Sequence, residues 1–229
     1  MSNAPIPSID FPAILASSVH DIKNSLTTLR ALLSQLENSY HEGTKPNEFR
    51  QLEFETNRMN NCLMHLLTLY KIDLSRFSPA IDEHSVSDII EDVVAQQSTL
   101  LALGNVELLT ECDDDLFCYC DSTLIGHALC TLVNNAQRYC RHKVLLSATE
   151  EDGYIVFSIE DDGEGYPANF ISSDGKTSQQ LDLAKGNTGL GLFFTKTIAQ
   201  LHTQGDKQGF ITTDNNSQLG GARFKLHLP

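Results

Sequence analysis

Cations are scarce in this chain: 16 Lys and Arg face 30 Asp and Glu, giving a net charge of −14 at neutral pH. A field of that sign repels DNA and RNA and argues against a nucleic-acid partner. A phosphate bound here has to be held by local devices, namely backbone amides, a metal ion and a few placed cations. Long apolar runs are missing too. None approaches the roughly 18 residues that a membrane-spanning helix needs, so no span is expected in this chain. The start, Met1-Ser2-Asn3-Ala4-Pro5, lacks the basic-then-apolar pattern of a leader, and the six cysteines (Cys62, Cys112, Cys118, Cys120, Cys130, Cys140) form no CxxC pair. These absences point to a reduced, cytoplasmic setting without structural metal. Cys118 and Cys120, two apart on an expected strand, share a face and read as buried free thiols. Repeats and low-complexity tracts are absent as well.

What is present is a globular composition, 41% hydrophobic and 20% charged over 229 residues, enough for two modest domains. Apolar residues at Leu15, Val19, Ile22, Leu26, Leu29, Leu33 and Leu36 step by four and three, the seam of a coiled coil or bundle. Gly43-Thr44-Lys45-Pro46 interrupts it, and a second seam follows through Leu52, Met59, Leu63, Leu66 and Tyr70. Two antiparallel helices result. A lone hairpin with such stripes cannot bury both sides of its seam, so a homodimer paired into a four-helix bundle is expected.

Residues 77–84 read as a linker, and a second domain covers 85–229, after a first domain over 1–76. The second opens with a helix through Ile89, Ile90, Val93 and Val94. Strands are expected near 106–110, 116–120, 143–148, 154–160, 210–213 and 222–228, with helices over 122–139 and 191–201. Strands without a helix between each pair argue for an α+β fold, a two-layer α/β sandwich following the helical hairpin, and against a doubly wound sheet.

With Val19 and Leu26 at a and Ile22 and Leu29 at d, His20 falls at b, Asp21 at c and Asn24 at f, all facing away from the seam. His20 and Asn24, four apart, share one exposed face. The stretch Val19-His20-Asp21-Ile22-Lys23-Asn24-Ser25-Leu26 resembles the H-box of sensor histidine kinases, in which His and an acidic residue precede a hydrophobic one, a basic one, Asn or Thr, then Pro and Leu. The resemblance implies that His20 accepts the phosphoryl group, that Asp21 takes or orients its ring proton, and that Asn24 positions water for dephosphorylation of the partner. Ser25 stands where the family usually has proline, so less bending is expected there.

Two glycine-rich stretches follow in the second domain. Asp161-Asp162-Gly163-Glu164-Gly165-Tyr166-Pro167 comes directly after an expected strand, and Gly186-Asn187-Thr188-Gly189-Leu190-Gly191-Leu192 runs into a helix whose first amides are open to an anion. They resemble the G1 and G2 boxes of the ATPase superfamily that joins histidine kinases to DNA gyrase, a heat-shock chaperone and mismatch-repair proteins. Leu132-Val133-Asn134-Asn135-Ala136-Gln137-Arg138-Tyr139 resembles its N box, and Gly220 to Pro229 its closing strand.

By that resemblance Asn135 coordinates Mg²⁺, Arg138 reaches a phosphate, Tyr139 packs by the adenine of ATP and Asp161 accepts from its amino group. Gly163 and Gly165 then admit the base, and Gly189 and Gly191 bring amides to the phosphates. Thr131 stands four residues before Asn135, where hydrolysing relatives carry a catalytic glutamate, which weakens a gyrase-like reading. The lid, Ala168 to Lys185, is polar and retains only Phe170 of the family's phenylalanine-rich segment; Lys176 and Lys185 read as solvated charges.

The implied function is Mg-ATP-dependent phosphorylation of His20 and transfer to an aspartate on the receiver domain of a separate response regulator. Its signal is expected from a separate sensor or upstream regulator protein, since only nineteen residues precede His20. The alternatives are an ATP-independent histidine phosphotransferase relay with a decayed nucleotide site and a helical scaffold.

Overall fold

Two helices, α1 (Phe11–Ser39) and α2 (Asn47–Asp73), pack side by side as the expected hairpin. The computed structural model describes residues 11–39, 47–73, 77–103, 105–167 and 189–229; the turn read at Gly43–Pro46 lies outside them. Among the described residues the chain divides into two compact units, one made of the hairpin up to Phe77 with Gly189–Gly191, the other an α/β unit made of the remainder from Ser78 to Pro229.

In α1 the buried line is Ile14, Ser18, Asp21, Ser25 and Leu32, which is the heptad line one residue before the apolar seam. Of the seam residues whose side chains are described, Leu26 is 53% exposed, Leu15 is exposed, and Ile22 and Leu29 are half-buried. In α2 the same shift places His65 and Leu69 inside with half-buried Arg58, Cys62 and Ile72, and leaves Leu63, Leu67 and Tyr70 exposed. The outward position expected for Asp21 is therefore corrected. It is 5% exposed, because the line one residue before the apolar seam is the buried one. Arg58 crosses from α2 to donate to Ser25 Oγ through Nε at 3.0 Å and through Nη2, while Glu55 holds the same guanidinium at 3.1 Å.

The α/β unit starts with β1 (Asp82–Ser85), so a strand takes up the end of the segment read as a linker. Next come α3 (Val86–Leu103), β2 (Glu107–Cys112), β3 (Phe117–Cys120), α4 (Ser122–Tyr139), β4 (Lys143–Glu151) and β5 (Tyr154–Asp161). After these follow α5 (Gly189–Leu201), the two-residue strands β6 (Thr203–Gln204) and β7 (Lys207–Gln208), β8 (Phe210–Asp214) and β9 (Arg223–Leu228). Five strands form one mixed sheet in the order β2-β4-β5-β9-β8, with β2 parallel to β4 and the other neighbours antiparallel. Two small antiparallel pairs, β1-β3 and β6-β7, stand apart from it. This is the expected two-layer sandwich.

Its core follows from side-chain alternation. Phe224, Leu226 and Leu228 of β9 are buried, while Arg223, Lys225 and His227 lie on the other face. Central β5 is buried from Val156 to Asp161. α3 and α4 cover the sheet, and Val93, Ile125, Leu129, Phe157, Phe194 and Ile198 are fully enclosed. On the outer face charges pair across strands, Lys225 with Glu151 at 2.8 Å and Arg223 with Asp214 at 2.9 Å.

Two histidines tie elements together as neutral rings. His202 accepts at Nε2 from the Asp121 N–H at 3.0 Å and donates from Nδ1 to the Ile198 carbonyl at 2.8 Å. Asp121 is also the N-cap of α4, accepting from the Leu124 N–H. His227 stacks on Phe210 with centroids 4.1 Å apart and meets Thr212 Oγ1 at 3.0 Å. Burial lowers the His202 pKa; burial, then Lys225, pushes His227 from its ordinary 6.5 to about 4. A depressed histidine pKa means that the unfolded chain binds the extra proton, so stability is full above about 6.5 and falls with pH. We predict an unfolding temperature that is flat from pH 8 to 7 and declines as the pH drops from about 6.5 to about 4, with His227→Phe reducing the decline in thermal unfolding monitored by circular dichroism.

Candidate functional site

Helix α4 buries Leu124, Ile125, Ala128, Leu129, Leu132, Val133 and Ala136, and this fixes which residues stay accessible on its last turns. Asn135 is half-buried and its amide makes no hydrogen bond among the described residues, while Arg138 and Tyr139 are exposed. The neighbouring Asn134 Oδ1 is buried without a partner. Thr131 spends its hydroxyl on the His127 carbonyl at 2.8 Å, one turn back, in keeping with its not being a base.

Strand β5 delivers Asp161 to the sheet's end with its backbone and side chain both engaged. The carboxylate is 5% exposed, and its Oδ1 accepts from the N–H of Gly163 at 2.8 Å and of Ala222 at 3.1 Å. Its carbonyl accepts from the Gly221 N–H at 2.9 Å and from Ser217 Oγ at 3.0 Å. Oδ2 has no hydrogen bond among the described residues. Burial raises the Asp161 pKa, against the lowering effect of the two amides.

Glycine is required here by the protein's own backbone. A Cβ on Gly163 would overlap the Tyr139 carbonyl, and one on Gly221 would overlap Asp161 Oδ1. Gly165 has φ +81° and faces Asn215, whose side chain pairs with the Tyr166 backbone: Tyr166 N–H to Oδ1 at 2.7 Å and Nδ2 to the Tyr166 carbonyl at 2.9 Å. Burial and then Asp161 hold the Tyr166 phenol well above its usual range. The stretches read as N and G1 boxes thus meet, with the end of α4 against the turn after β5. Asn215 and Ser217 were not assigned to this site by sequence, and Asp162 in the G1 stretch and Gly221 in the closing strand were given no role there.

The donor set fits a metal triphosphate and a purine. An unengaged amide on Asn135 offers a hard oxygen donor for Mg²⁺, Arg138 supplies a cation, and Asp161 keeps one carboxylate oxygen for an amino group. Gly189 and Gly191 lie in the first turn of α5. The rest of the G2 stretch, Gly186 to Thr188, and the lid Ala168–Lys185 with Phe170, Lys176 and Lys185 lie outside the described residues.

In the hairpin, the His20 side chain is 56% exposed on α1. Its Nδ1 lies 3.2 Å from Asn24 Nδ2 and 3.7 Å from Asp21 Oδ1, whereas Nε2 meets no partner among the described residues. Asp21 therefore reaches His20 from the buried side.

Cys118 and Cys120 are buried on one face of β3 with their sulfurs 3.4 Å apart. Among the described residues no group of three or more His, Cys, Asp and Glu is placed to hold a metal, and no helix is long and apolar enough to cross a membrane.

Residues 120–229 match the family described as histidine kinase-, DNA gyrase B-, and HSP90-like ATPase. The heme sensor protein HssS of Staphylococcus haemolyticus (strain JCSC1435) is 23% identical over 213 residues, 92% of this chain and 45% of that protein. The sensor protein BasS of Escherichia coli (strain K12) is 28% identical over 220 residues, 93% of this chain and 57% of its own length. The chain thus spans about half the length of the curated relatives it matches. Among solved structures, the histidine kinase AdeS of Acinetobacter baumannii superposes with a TM-score of 0.63 at 20% identity, covering 91% of this chain and 96% of that one. The catalytic domain of histidine kinase ThkA gives 0.52 at 23% identity over 65% of this chain and 95% of that one.

The glycine geometry yields a contrast. Gly163→Ala and Gly221→Ala should each lose about 1–3 kcal/mol of stability, because backbone must move to admit the methyl. Gly126→Ala, in the middle of α4 with nothing within 4 Å of the added carbon, should gain about 0.5–1 kcal/mol. Urea unfolding of the three variants checks both signs.

Proposed function

For a chain that belongs to the sensor histidine kinases, with residues 120–229 as its histidine kinase-, DNA gyrase B- and HSP90-like ATPase domain, we propose that it phosphorylates its own His20 from Mg-ATP and passes the phosphoryl group to an aspartate of a separate response regulator. The observation that carries this reading is His20 itself: an exposed imidazole whose Nδ1 is engaged by Asn24 and Asp21 and whose Nε2 is open.

In the reacting tautomer Nδ1 keeps its proton and points it at the Asp21 carboxylate, the Asn24 amide turning its oxygen instead of its NH₂ to the ring, which leaves the lone pair on Nε2. Nε2 attacks the γ-phosphorus, forming an N–P bond as the bond to the ADP oxygen breaks, and the imidazolium charge is compensated by the Asp21 carboxylate. On the nucleotide side Asp161 Oδ2 accepts from the adenine amino group, Tyr139 packs beside the base, Asn135 holds the metal and Arg138 reaches a phosphate. Gly189 and Gly191 present the first amides of α5 to the phosphates. Bound Mg²⁺ supplies charge neutralisation across the triphosphate. Asn24, next to the phosphorylated ring, orients water in the reverse, phosphatase reaction on the regulator.

The exposed residues Leu15, Leu26, Leu63, Leu67 and Tyr70 form the face on which a second copy completes a four-helix bundle. The protein acts in the cytoplasm, on signals relayed by a separate sensor or upstream regulator.

Incubation with γ-labelled ATP tests the chemistry. Acid-labile label should appear on the wild type and be absent from His20→Ala, which still binds nucleotide; Asn135→Ala should lose both binding and label. Label arriving on His20 only from another phosphoprotein, with no ATP bound, would establish the relay instead. For the assembly, Leu26→Asp should convert a dimer to a monomer in sedimentation analysis.

A further inference from the structure

Asp162, one residue beyond the proposed adenine ligand, has no part in that recognition, yet three backbone amides converge on it. Its Oδ1 accepts from the N–H of Arg141 at 2.7 Å, of His142 at 3.0 Å and of Lys143 at 3.2 Å, and Oδ2 lies 3.1 Å from the same His142 N–H. Successive amides aimed at one point form an anion nest, and here the protein's own carboxylate fills it. Burial alone would raise this carboxyl's pKa, but the amides of His142, Lys143 and Arg141 outweigh it and hold the group below the usual range.

The turn so held joins α4 to β4 and begins one residue after Tyr139. On its other side Asp162 adjoins Gly163, which sits so close to the Tyr139 carbonyl that no Cβ fits between them. One side chain therefore fastens the last turn of α4, with Asn135, Arg138 and Tyr139, to the strand end that carries Asp161. Without an acceptor the three amides turn to water, and the two halves of the nucleotide site lose their mutual register.

We propose that Asp162 is a positioning residue for nucleotide binding, clamping the N-box end of α4 to the G1 turn through the amides of residues 141–143. This rests on the kinase reading above for the identity of the ligand, but not for the clamp itself.

The test uses the full chain with Asp162→Ala and Asp162→Asn. Titration with ATP and Mg²⁺ should give a Kd raised on the order of tenfold for Ala and within about threefold of wild type for Asn, which keeps the acceptor oxygen. Added acetate or formate should restore much of the Ala variant's affinity by refilling the nest. Transfer from His20 loaded at saturating ATP to the regulator should be unchanged, which a general loss of structure would not allow. The amide resonances of Arg141, His142 and Lys143 should move in the Ala variant. A folded Ala variant with wild-type Kd, or unmoved amides, overturns the clamp. So does an Asn variant as impaired as Ala, which also covers the case in which Ala fails to fold. A wild type that binds no ATP while these amides still respond to Asp162 refutes the kinase reading and leaves the clamp standing.

Discussion

A carboxylate at the inner end of the central strand sets the terms for everything around it. Burying Asp161 costs several kcal/mol unless its lone pairs find donors, and the chain meets this with amides from two directions, Gly163 after β5 and Ala222 before β9. Those amides reach it only because neither Gly163 nor Gly221 has a side chain. The closeness of β5 and β9, the glycines and the sharp turn of the chain past Asp161 are consequences of one buried acid. Two donors occupy one of its oxygens, and the other has no hydrogen bond among the described residues.

The hairpin answers a different constraint. Each helix carries two adjacent heptad lines, and the buried one mixes polar residues with Ile14, Leu32 and Leu69. Ser18, Asp21, Ser25 and His65 share that interior with these apolar residues. Arg58 reaches Ser25, so a hydrogen-bonded cross-link joins the two helices there, and α1 runs as one helix from Phe11 to Ser39. Because Asp21 points inward while His20 points out, the acid approaches the imidazole from below and leaves the outer nitrogen clear.

Both features bear on how so acidic a protein handles a polyanion. With a net charge of −14, long-range attraction for nucleotide is absent. In the proposed nucleotide site, affinity would come from groups that act at contact: the Asn135 amide, the Arg138 guanidinium and helix-start amides. The nest filled by Asp162 belongs to the same economy of backbone donors, used inside the protein to hold the site together.

The sequence alone was enough for most of the fold, because the patterns that drive it are local. The period-3.5 seams gave both helices of the hairpin, and alternation with turn residues gave β2 to β5, β8 and β9 within a few residues. Strand β1, Asp-Glu-His-Ser, escaped because nothing in four polar residues marks a strand; it forms because β3 offers an edge. His20, Asp21, Asn24, Asn135 and Asp161 stood out through their motifs. Tertiary structure alone decided which of two heptad lines faces inward, since a one-residue rotation of a helix leaves its periodicity unchanged. It also decided that Asp162, Asn215, Ser217 and Gly221 support the site, because hydrogen bonds between residues twenty to sixty positions apart depend on the path of the chain and leave no periodic trace along it.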